Sequence, residues 1–288
     1  MTITVSMIGK NEEDNLHRCL KSVKPIADLI VYADTGSTDS SISIAKSYGC
    51  VIRRIEFKDF AQARNTAKSD VPGDWILQID GDEMLCNPQN IYKYCESTDY
   101  EAYLFHQEHL ILGGNSSAIG MRLFRNRPHY KYVGCIHEMP ENMITVCEDK
   151  AIAPFALIED MCFAHFGCID EKMRRSKVTD RNLELLIKDL SVNPYRTYNK
   201  YLAIRDLLNI YKWRTEAVGY HCKEGSVEHK ILSAIITTYN DFRGVWLDRH
   251  LGLARDTINV AQSLLSQQNL LYVKERVDLR HFLRLGMT

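Results

Sequence analysis

Two aspartates separated by one residue follow a short apolar segment of the chain. Residues 75–79 (WILQI) predict a buried strand, and Asp80, Gly81, Asp82 and Glu83 come directly after it. On an extended chain, side chains two residues apart point the same way, so we expect the carboxylates of Asp80 and Asp82 to leave the strand together. A hard divalent cation such as Mg²⁺ or Mn²⁺ stabilises such a pair and often also binds phosphate. Because Asp-Gly is also a common turn pair, the pattern fits either a metal–nucleotide site or a polar turn.

The segments around this motif alternate between strand and helix patterns. Apolar runs predict four strands, at residues 3–8, 29–33, 50–57 and 75–79. Amphipathic helical patterns lie between them, and this order predicts a parallel sheet with helices on both faces. Ligands of such sheets bind beyond the carboxyl ends of the strands. Residues 9–11, Asp34 and Asp80 all fall at those ends, so the sequence predicts one site there.

The composition and the missing motifs exclude several classes of protein. The 288 residues are 45% hydrophobic and 25% charged with a net charge of −1, which argues against a general binder of nucleic acid or anionic membranes. The chain lacks an 18-residue apolar run, a signal peptide pattern, a P-loop and a dinucleotide-binding glycine fingerprint. Nine scattered cysteines without a CxxC pair predict reduced thiols and a cytoplasmic protein.

Basic stretches and a helical pattern mark the rest of the chain. Residues 110–137 contain four basic and no acidic side chains, and residues 172–181 contain five basic side chains against one acidic. Such clusters either face solvent or neutralise phosphate oxygens. Beyond about residue 176 the apolar residues recur at helical spacing as far as a last pattern at 270–282. We therefore predict an α/β domain over residues 1–185, with halves at 1–100 and 101–185, and a helical domain over 186–288.

Taken together, the motifs resemble those of the family 2 glycosyltransferases, which have the GT-A fold. The first four are Lys10-Asn11-Glu12-Glu13, the element Asp34 to Asp39, the helix Phe60-Ala61-Gln62-Ala63-Arg64-Asn65, and Asp80 to Glu83. A narrower subgroup, which includes lipopolysaccharide-core glucosyltransferases and a sublancin-type peptide S-glycosyltransferase, is similar in three further places. These are Arg122 to Arg125, His137-Glu138, and His165 followed by residues 172–177. The resemblance covers about residues 1–185.

The resemblance implies a role for each candidate residue. It implies that residues 1–100 bind the nucleotide-sugar and that 101–185 face the acceptor. Nucleotide-sugar contacts are expected from Asn11, Glu12, Asp34, Asp39, Arg64, Asp80, Arg174, Arg175 and Lys177. Asp82 and His165 are the expected ligands of Mn²⁺ or Mg²⁺, and Glu138 and Asp82 the expected catalytic residues.

Each of these roles has a plainer structural alternative. Asp34 could instead cap a helix, and Arg64 could lie on a surface helix or pair with Asp80. His165, in an apolar setting, could be a hydrogen-bonded core residue. Glu138 could form a salt bridge to Arg122, Arg125 or Arg127.

The predicted function is that of a metal-dependent inverting glycosyltransferase with a UDP-sugar donor. The acceptor would be a glycan, a lipid-linked sugar, a peptide or, less favoured, a modified nucleic acid, and the helical region could form a homodimer. A sugar nucleotidyltransferase is one alternative, although the turn after the first strand, residues 8–12, is poor in glycine and acidic. A binding protein without catalytic activity is the other alternative, and the intact pair of Asp80 and Asp82 argues against it.

Overall fold

A computed structural model of the chain forms two compact units, Met1–Arg174 and Arg175–Thr288. The residues described are 1–97, 100–111, 114–140, 155–167, 175–193, 196–241 and 248–268. The sequence analysis put the boundary near residue 185. Residues 175–185 instead belong to the second unit, where Val178 and Leu183 join the core of the helices.

The first half of the first unit alternates strands and helices as predicted. The strands are β1 (Ile3–Gly9), β2 (Leu29–Asp34), β3 (Val51–Arg54) and β4 (Trp75–Asp80). The helices are α1 (Glu13–Val23), α2 (Ser41–Ser47) and α3 (Phe60–Lys68), with a 3₁₀ turn at Lys24–Ile26. The four strands lie in the order β3-β2-β1-β4 and are parallel. β3 is shorter than the strand predicted over residues 50–57: it begins at Val51 and ends at Arg54.

Four more strands extend this sheet on the side of β4. They are β5 (Glu83–Cys86), β6 (Ala102–Ile111), β7 (Gly114–Arg125) and, last along the chain, β10 (Phe155–His165). The full order is β3-β2-β1-β4-β7-β6-β10-β5; β7 is antiparallel to both neighbours, β10 is parallel to β6, and β5 is antiparallel to β10. A separate hairpin pairs β8 (Tyr132–Val133) with β9 (Met139–Pro140), and the short helix α4 (Ile91–Cys95) follows a 3₁₀ turn at Pro88–Asn90. The predicted GT-A-type α/β sheet is therefore confirmed.

Opposite faces of the parallel strands pack against different helices. Val5 and Met7 of β1 pack in one core with Leu16 and Leu20 of α1. Ile8, at the end of the same strand, packs in another core that contains Ala63 and Ala67 of α3. Because side chains alternate along a strand, one strand serves both cores. The small alanine side chains of α3 leave space for its polar residues to reach the strand ends.

All the regular elements among the described residues of the second unit are helices. A π-helical turn at Val178–Asn182 leads into α5 (Leu183–Val192), and α6 (Thr197–Thr215), α7 (Val227–Asp241) and α8 (Asp248–Gln267) follow, with a 3₁₀ turn at Glu216–Val218. Their shared core includes Leu207, Ile235 and Ala261. The helix predicted over residues 270–282 lies outside the described residues. No described helix is both long enough and apolar enough to span a membrane.

We expect the central strand β4 to carry much of the first unit's stability. Leu77 is fully buried in that strand, so Leu77→Ala should lower the free energy of unfolding by about 2–5 kcal/mol. Val51 begins the edge strand β3 and is 46% exposed. Val51→Ala should therefore change the free energy of unfolding by less than about 0.5 kcal/mol. Urea denaturation of both variants measures the difference, and equal losses would contradict this placement of the core.

Candidate active site

Three neighbouring parallel strands bring the sequence-predicted residues together at their carboxyl ends. Gly9, which ends β1, lies directly opposite Asp34 of β2. Ile8, one residue earlier, lies opposite Asp80 of β4. The two carboxylates therefore flank the end of β1 from either side, because parallel strands end at the same edge.

The side chain of Arg64 joins Asp80 to Glu138. Its Nη1 donates to Asp80 Oδ1 at 2.9 Å, its Nη2 donates to Asp80 Oδ2 at 3.2 Å, and its Nε donates to Glu138 Oε1. The side chains of Arg64 and Glu138 are each only 8% exposed. Arg64 is therefore not a surface residue, and it makes the alternative contact with Asp80 that the sequence allowed. Glu138 does form a buried ion pair, but its partner is Arg64 rather than Arg122, Arg125 or Arg127, which pair with other carboxylates.

Charge pairing in this cluster outweighs the effect of burial on the pKa values. Burial alone would raise the pKa of Asp80, but the charges of Arg64 and Arg122 outweigh it and lower that pKa. Burial would likewise lower the pKa of Arg64, and the carboxylates of Asp80 and Glu138 raise it well above its ordinary value. Asp80 and Arg64 are therefore both ionised at neutral pH.

Residues to which the sequence analysis assigned no role hold Glu138 in place. The Asn65 side chain donates from Nδ2 to the Tyr132 carbonyl at 2.8 Å and accepts from the Tyr132 amide at 2.9 Å, so it pairs with β8 as another strand would. Gln78 bonds to the Tyr132 hydroxyl, and with its amide oxygen turned toward the arginines it accepts from Arg122 Nη1 at 3.0 Å and from Arg64. Gln78 is the polar residue inside the apolar run 75–79, and that signal could have revealed it.

Asp80 and Asp82 do not leave the strand together, contrary to the sequence prediction. β4 ends at Asp80, residues 81 and 82 form a turn, and Glu83 already begins β5. The chain is therefore not extended between the two aspartates, and the period-two argument fails there. Asp80 binds Arg64, whereas Oδ2 of Asp82 lies 3.3 Å from Nε2 of His165.

Glu83 adds a fourth carboxyl group to the site, and it is buried. It accepts from Arg122 Nη2 at 2.8 Å, from the Asp80 amide at 2.8 Å and from Gln107. Burial raises the pKa of Glu83 to about 7, against the opposing charge of Arg122. Asp80, Glu83 and Glu138 pair with the guanidinium groups of Arg64 and Arg122, and Asp82 lies beside His165. An added cation would reduce the repulsion among the ionised carboxylates.

Asp82 and His165 have the positions that a pair of metal ligands would need. A Cβ added to Gly167 would lie 1.8 Å from Asp82 Oδ2 and 3.0 Å from His165 Nε2, so a larger residue here would displace these donors. Nδ1 of His165 lies 2.9 Å from Nδ1 of His109, and this contact orients the ring. No group of three or more His, Cys, Asp or Glu side chains among the described residues could hold a metal ion. Two protein donors fit an ion whose remaining ligands are phosphate oxygens and water.

A cavity opens beside Asp34. It has a volume of about 370 Å³, lies at the carboxyl ends of β2 and β3, and is lined by residues that include Asp34, Ser37, Ile42, Arg54 and Glu56. The Asp34 carboxylate accepts from the amides of Gly36 at 3.1 Å and Ser37 at 3.2 Å. These bonds shape the turn after β2, and the residue also lines the cavity. Asp34 does not cap a helix, because α2 begins only at Ser41.

The loops after β1 and β2 are fastened to each other. Asn11, with a φ of 57°, accepts from the Thr38 amide at 2.8 Å, and Asp39 accepts from the Glu13 amide at 3.1 Å. Glu12 lies over Gly81, where an added Cβ would approach its Cγ to 2.9 Å. Asn11 and Asp39 therefore position the cavity wall, and Glu12 lies beside the turn that carries Asp82.

The basic residues expected to hold a diphosphate are not all described. Arg174 lies outside the described residues. Arg175 and Lys177 belong to the second unit, where Arg175 donates to Glu216 at 3.3 Å and its guanidinium lies 5.3 Å from the centre of the Trp213 ring. A role for these three residues at the diphosphate stays a prediction.

Comparison with known proteins finds a family model and several related sequences that match this chain. The family model described as Glycosyl transferase family 2 matches residues 4–149, which is half of the chain. A TPR repeat-containing protein of Synechococcus elongatus is 30% identical over 151 residues, which is 51% of this chain and 38% of that protein. The prophage-derived glycosyltransferase SunS of Bacillus subtilis is 28% identical over 206 residues, 67% of this chain and 46% of SunS. The chain thus spans less than half the length of these two relatives.

Solved structures match over most of the chain at low sequence identity. The crystal structure of S. aureus TarS in complex with UDP-GlcNAc has a TM-score of 0.48 and 13% sequence identity. The match covers 95% of this chain and 93% of that one.

We expect Asn65 to act on turnover through Glu138. Asn65→Ala removes both bonds to Tyr132, and should lower the free energy of unfolding by about 1–3 kcal/mol and reduce kcat more than nucleotide affinity. Gln62→Ala, in the same helix, is the control, because its side-chain contact to the Lys58 amide is 3.5 Å long. Steady-state kinetics and calorimetry separate the two effects. A loss of nucleotide affinity with unchanged kcat would contradict this role.

Proposed function

We propose that this chain, which belongs to glycosyl transferase family 2, transfers a sugar from a UDP-sugar to an acceptor nucleophile with the help of a divalent metal ion. The main support is the convergence of three features at one edge of the sheet. These are the cavity beside Asp34, the Asp82–His165 pair, and the carboxylate of Glu138 bound to Arg64.

In this proposal the cavity at the ends of β2 and β3 receives the nucleoside. Asp34 stands at its wall with its carboxylate held by two backbone amides, and a carboxylate fixed in this way can accept hydrogen bonds from a base or a ribose. The choice of uridine rests on the resemblance of the turn from Asp34 to Asp39. A cavity of about 370 Å³ falls within the range of small-molecule sites.

Asp82 and His165 would hold Mn²⁺ or Mg²⁺. The bound ion would supply positive charge to the diphosphate as it leaves the sugar. Asp80 has a different role in the proposal, because both of its oxygens are bound by Arg64. It fixes Arg64, and through Arg64 it fixes Glu138.

Glu138 is the proposed base. It would accept the proton of the acceptor nucleophile as that group attacks the anomeric carbon from the face opposite the leaving diphosphate. One displacement of this kind inverts the anomeric configuration. Arg64 holds the carboxylate in one orientation, and the Asn65–Tyr132 pair holds the hairpin that carries it.

The acceptor remains open among a glycan, a lipid-linked sugar, a peptide and a modified nucleic acid. The relative SunS is named as a glycosyltransferase, and its name does not specify an acceptor. Dimerisation through the helical unit and the cytoplasmic location stay predictions from the sequence.

Metal-dependent nucleotide binding through Asp82 is the first test. UDP at 100 times its Kd should stabilise the folded protein by about 2.7 kcal/mol, and this gain should need Mn²⁺. Asp82→Asn should lose the Mn²⁺-dependent part, because it removes the negative charge of one of the two donors beside Gly167. The measurement is the thermal unfolding midpoint with UDP or GDP, with Mn²⁺ or with EDTA.

Asp74→Asn is the matched control for that test. Asp74 lies just before β4, at the opposite end of the strand from Asp82, and contacts the N-terminal residues. This variant should keep the full response to UDP and Mn²⁺. A response of Asp82→Asn equal to that of the control would exclude the metal assignment, and an equal response to GDP would exclude the choice of UDP.

The second test concerns Glu138. Glu138→Gln keeps the size of the side chain and removes the base, so transfer should fall by roughly 10²–10⁴-fold while UDP still binds. Glu101→Gln is the control, because Glu101 also pairs with arginines, Arg125 and Arg127, but away from the strand ends. The loss of the ion pairs of Glu101 should cost about 0–1 kcal/mol of stability and leave transfer unchanged. Near-normal turnover in Glu138→Gln would place the base elsewhere.

A further inference from the structure

Two cysteines lie opposite each other on the last two strands of the sheet. Cys86 ends β5, Cys162 lies in β10, and the antiparallel register pairs them directly. β5 is the edge strand of the sheet, so no further strand among the described residues covers one side of this pair. Both cysteines are free thiols and half-buried.

The position of this pair on the sheet makes it reachable. Leu85 and Phe163 are the next pair in the ladder, and both are buried in the main core. Since side chains alternate along a strand, Cys86 and Cys162 project from the opposite face of the sheet. His106 of β6 is the next residue in the same cross-strand row, and it is also only partly buried.

The strand register also places the Cα atoms of the two cysteines at a distance that suits a disulfide. Residues directly opposite in an antiparallel pair have Cα atoms about 4.5–5.5 Å apart. Disulfides form across Cα distances of about 4.4–6.8 Å, so a bond here needs little movement of the backbone. The other described cysteines offer no such pair within a sheet: Cys19, Cys50, Cys95 and Cys135 are buried, and Cys222 lies in the helical unit.

We propose that Cys86 and Cys162 form a reversible dithiol–disulfide pair that reacts with low-molecular-weight disulfides. One thiolate attacks the small disulfide and releases one equivalent of small thiol. The second thiolate then attacks the mixed disulfide, forms the Cys86–Cys162 bond and releases the second equivalent of small thiol. The two cysteines are oxidised by two electrons, the small disulfide is reduced to two thiols, and a small dithiol reverses the reaction.

The surroundings of Cys162 make this reaction slow but do not prevent it. Burial, followed by the neighbouring Cys86 thiol and the carboxylate of Glu108, raises the pKa of Cys162 to about 11. Its thiolate is therefore scarce at neutral pH, and thiolate is the reacting form. The test must run to equilibrium, over hours, in buffers of fixed redox composition.

The experiment equilibrates the purified full chain with set ratios of oxidised to reduced glutathione. The samples are quenched with a thiol-alkylating reagent and digested with trypsin and chymotrypsin without reduction. Chymotrypsin can cleave after Phe163 and Phe166, which separates Cys162 from Cys168. Mass spectrometry should find a Cys86–Cys162 linked peptide and a loss of two free thiols per chain, both reversed by dithiothreitol.

Single variants test whether the disulfide forms between the two cysteines that the strand register pairs. Cys86→Ser and Cys162→Ser should each abolish the linked peptide, whereas Cys222→Ser, which changes an equally half-buried cysteine, should leave it unchanged. Three results would overturn the proposal. They are the absence of the linked peptide under the most oxidising buffer, glutathione mixed disulfides at these cysteines without a bond between them, and a disulfide that joins either one to another cysteine instead.

Discussion

The guanidinium of Arg64, shared between Asp80 and Glu138, is the interaction on which the rest of the site depends. A buried arginine is tolerated only when its charge and its donors are matched, and here two carboxylates and the amide of Gln78 match them. Removing one partner of such a group commonly costs about 3–5 kcal/mol, because an unpaired charge is left inside the protein. The end of β4 and the β8–β9 hairpin are therefore held in one arrangement by electrostatics.

Helix α3 supplies this constraint because it presents apolar and polar residues on different sides. Ala63 and Ala67 are fully buried and set its distance from the sheet, while Asp59 caps its first turn by accepting from the Gln62 amide at 2.8 Å. With the helix fixed at that distance, Arg64 reaches the strand end and Asn65 reaches Tyr132. Two consecutive residues thus orient the carboxylate that we propose as the base.

The remaining parts of the site follow from its excess of carboxyl groups. Arg122 compensates Glu83 in the interior, and Oδ2 of Asp82 lies 3.3 Å from Nε2 of His165. In the proposed function, a divalent cation at Asp82 would reduce the negative charge of the site where the diphosphate would lie. A Cβ at position 167 would lie 1.8 Å from Asp82 Oδ2, so a larger residue there would displace this carboxylate.

The sequence alone determined the order of elements and the parallel first half of the sheet, because strand and helix periodicities are local. It also placed Asp34 and Asp80 close together, because the carboxyl ends of parallel strands lie side by side. It misplaced the two aspartates, since a turn at residues 81 and 82 ended the strand. Only the tertiary structure decided that Arg64 pairs with Glu138, that Asn65 holds the hairpin, and that Cys86 faces Cys162. Those partners are 67 to 76 residues apart in the chain, and no local pattern encodes a contact over that separation.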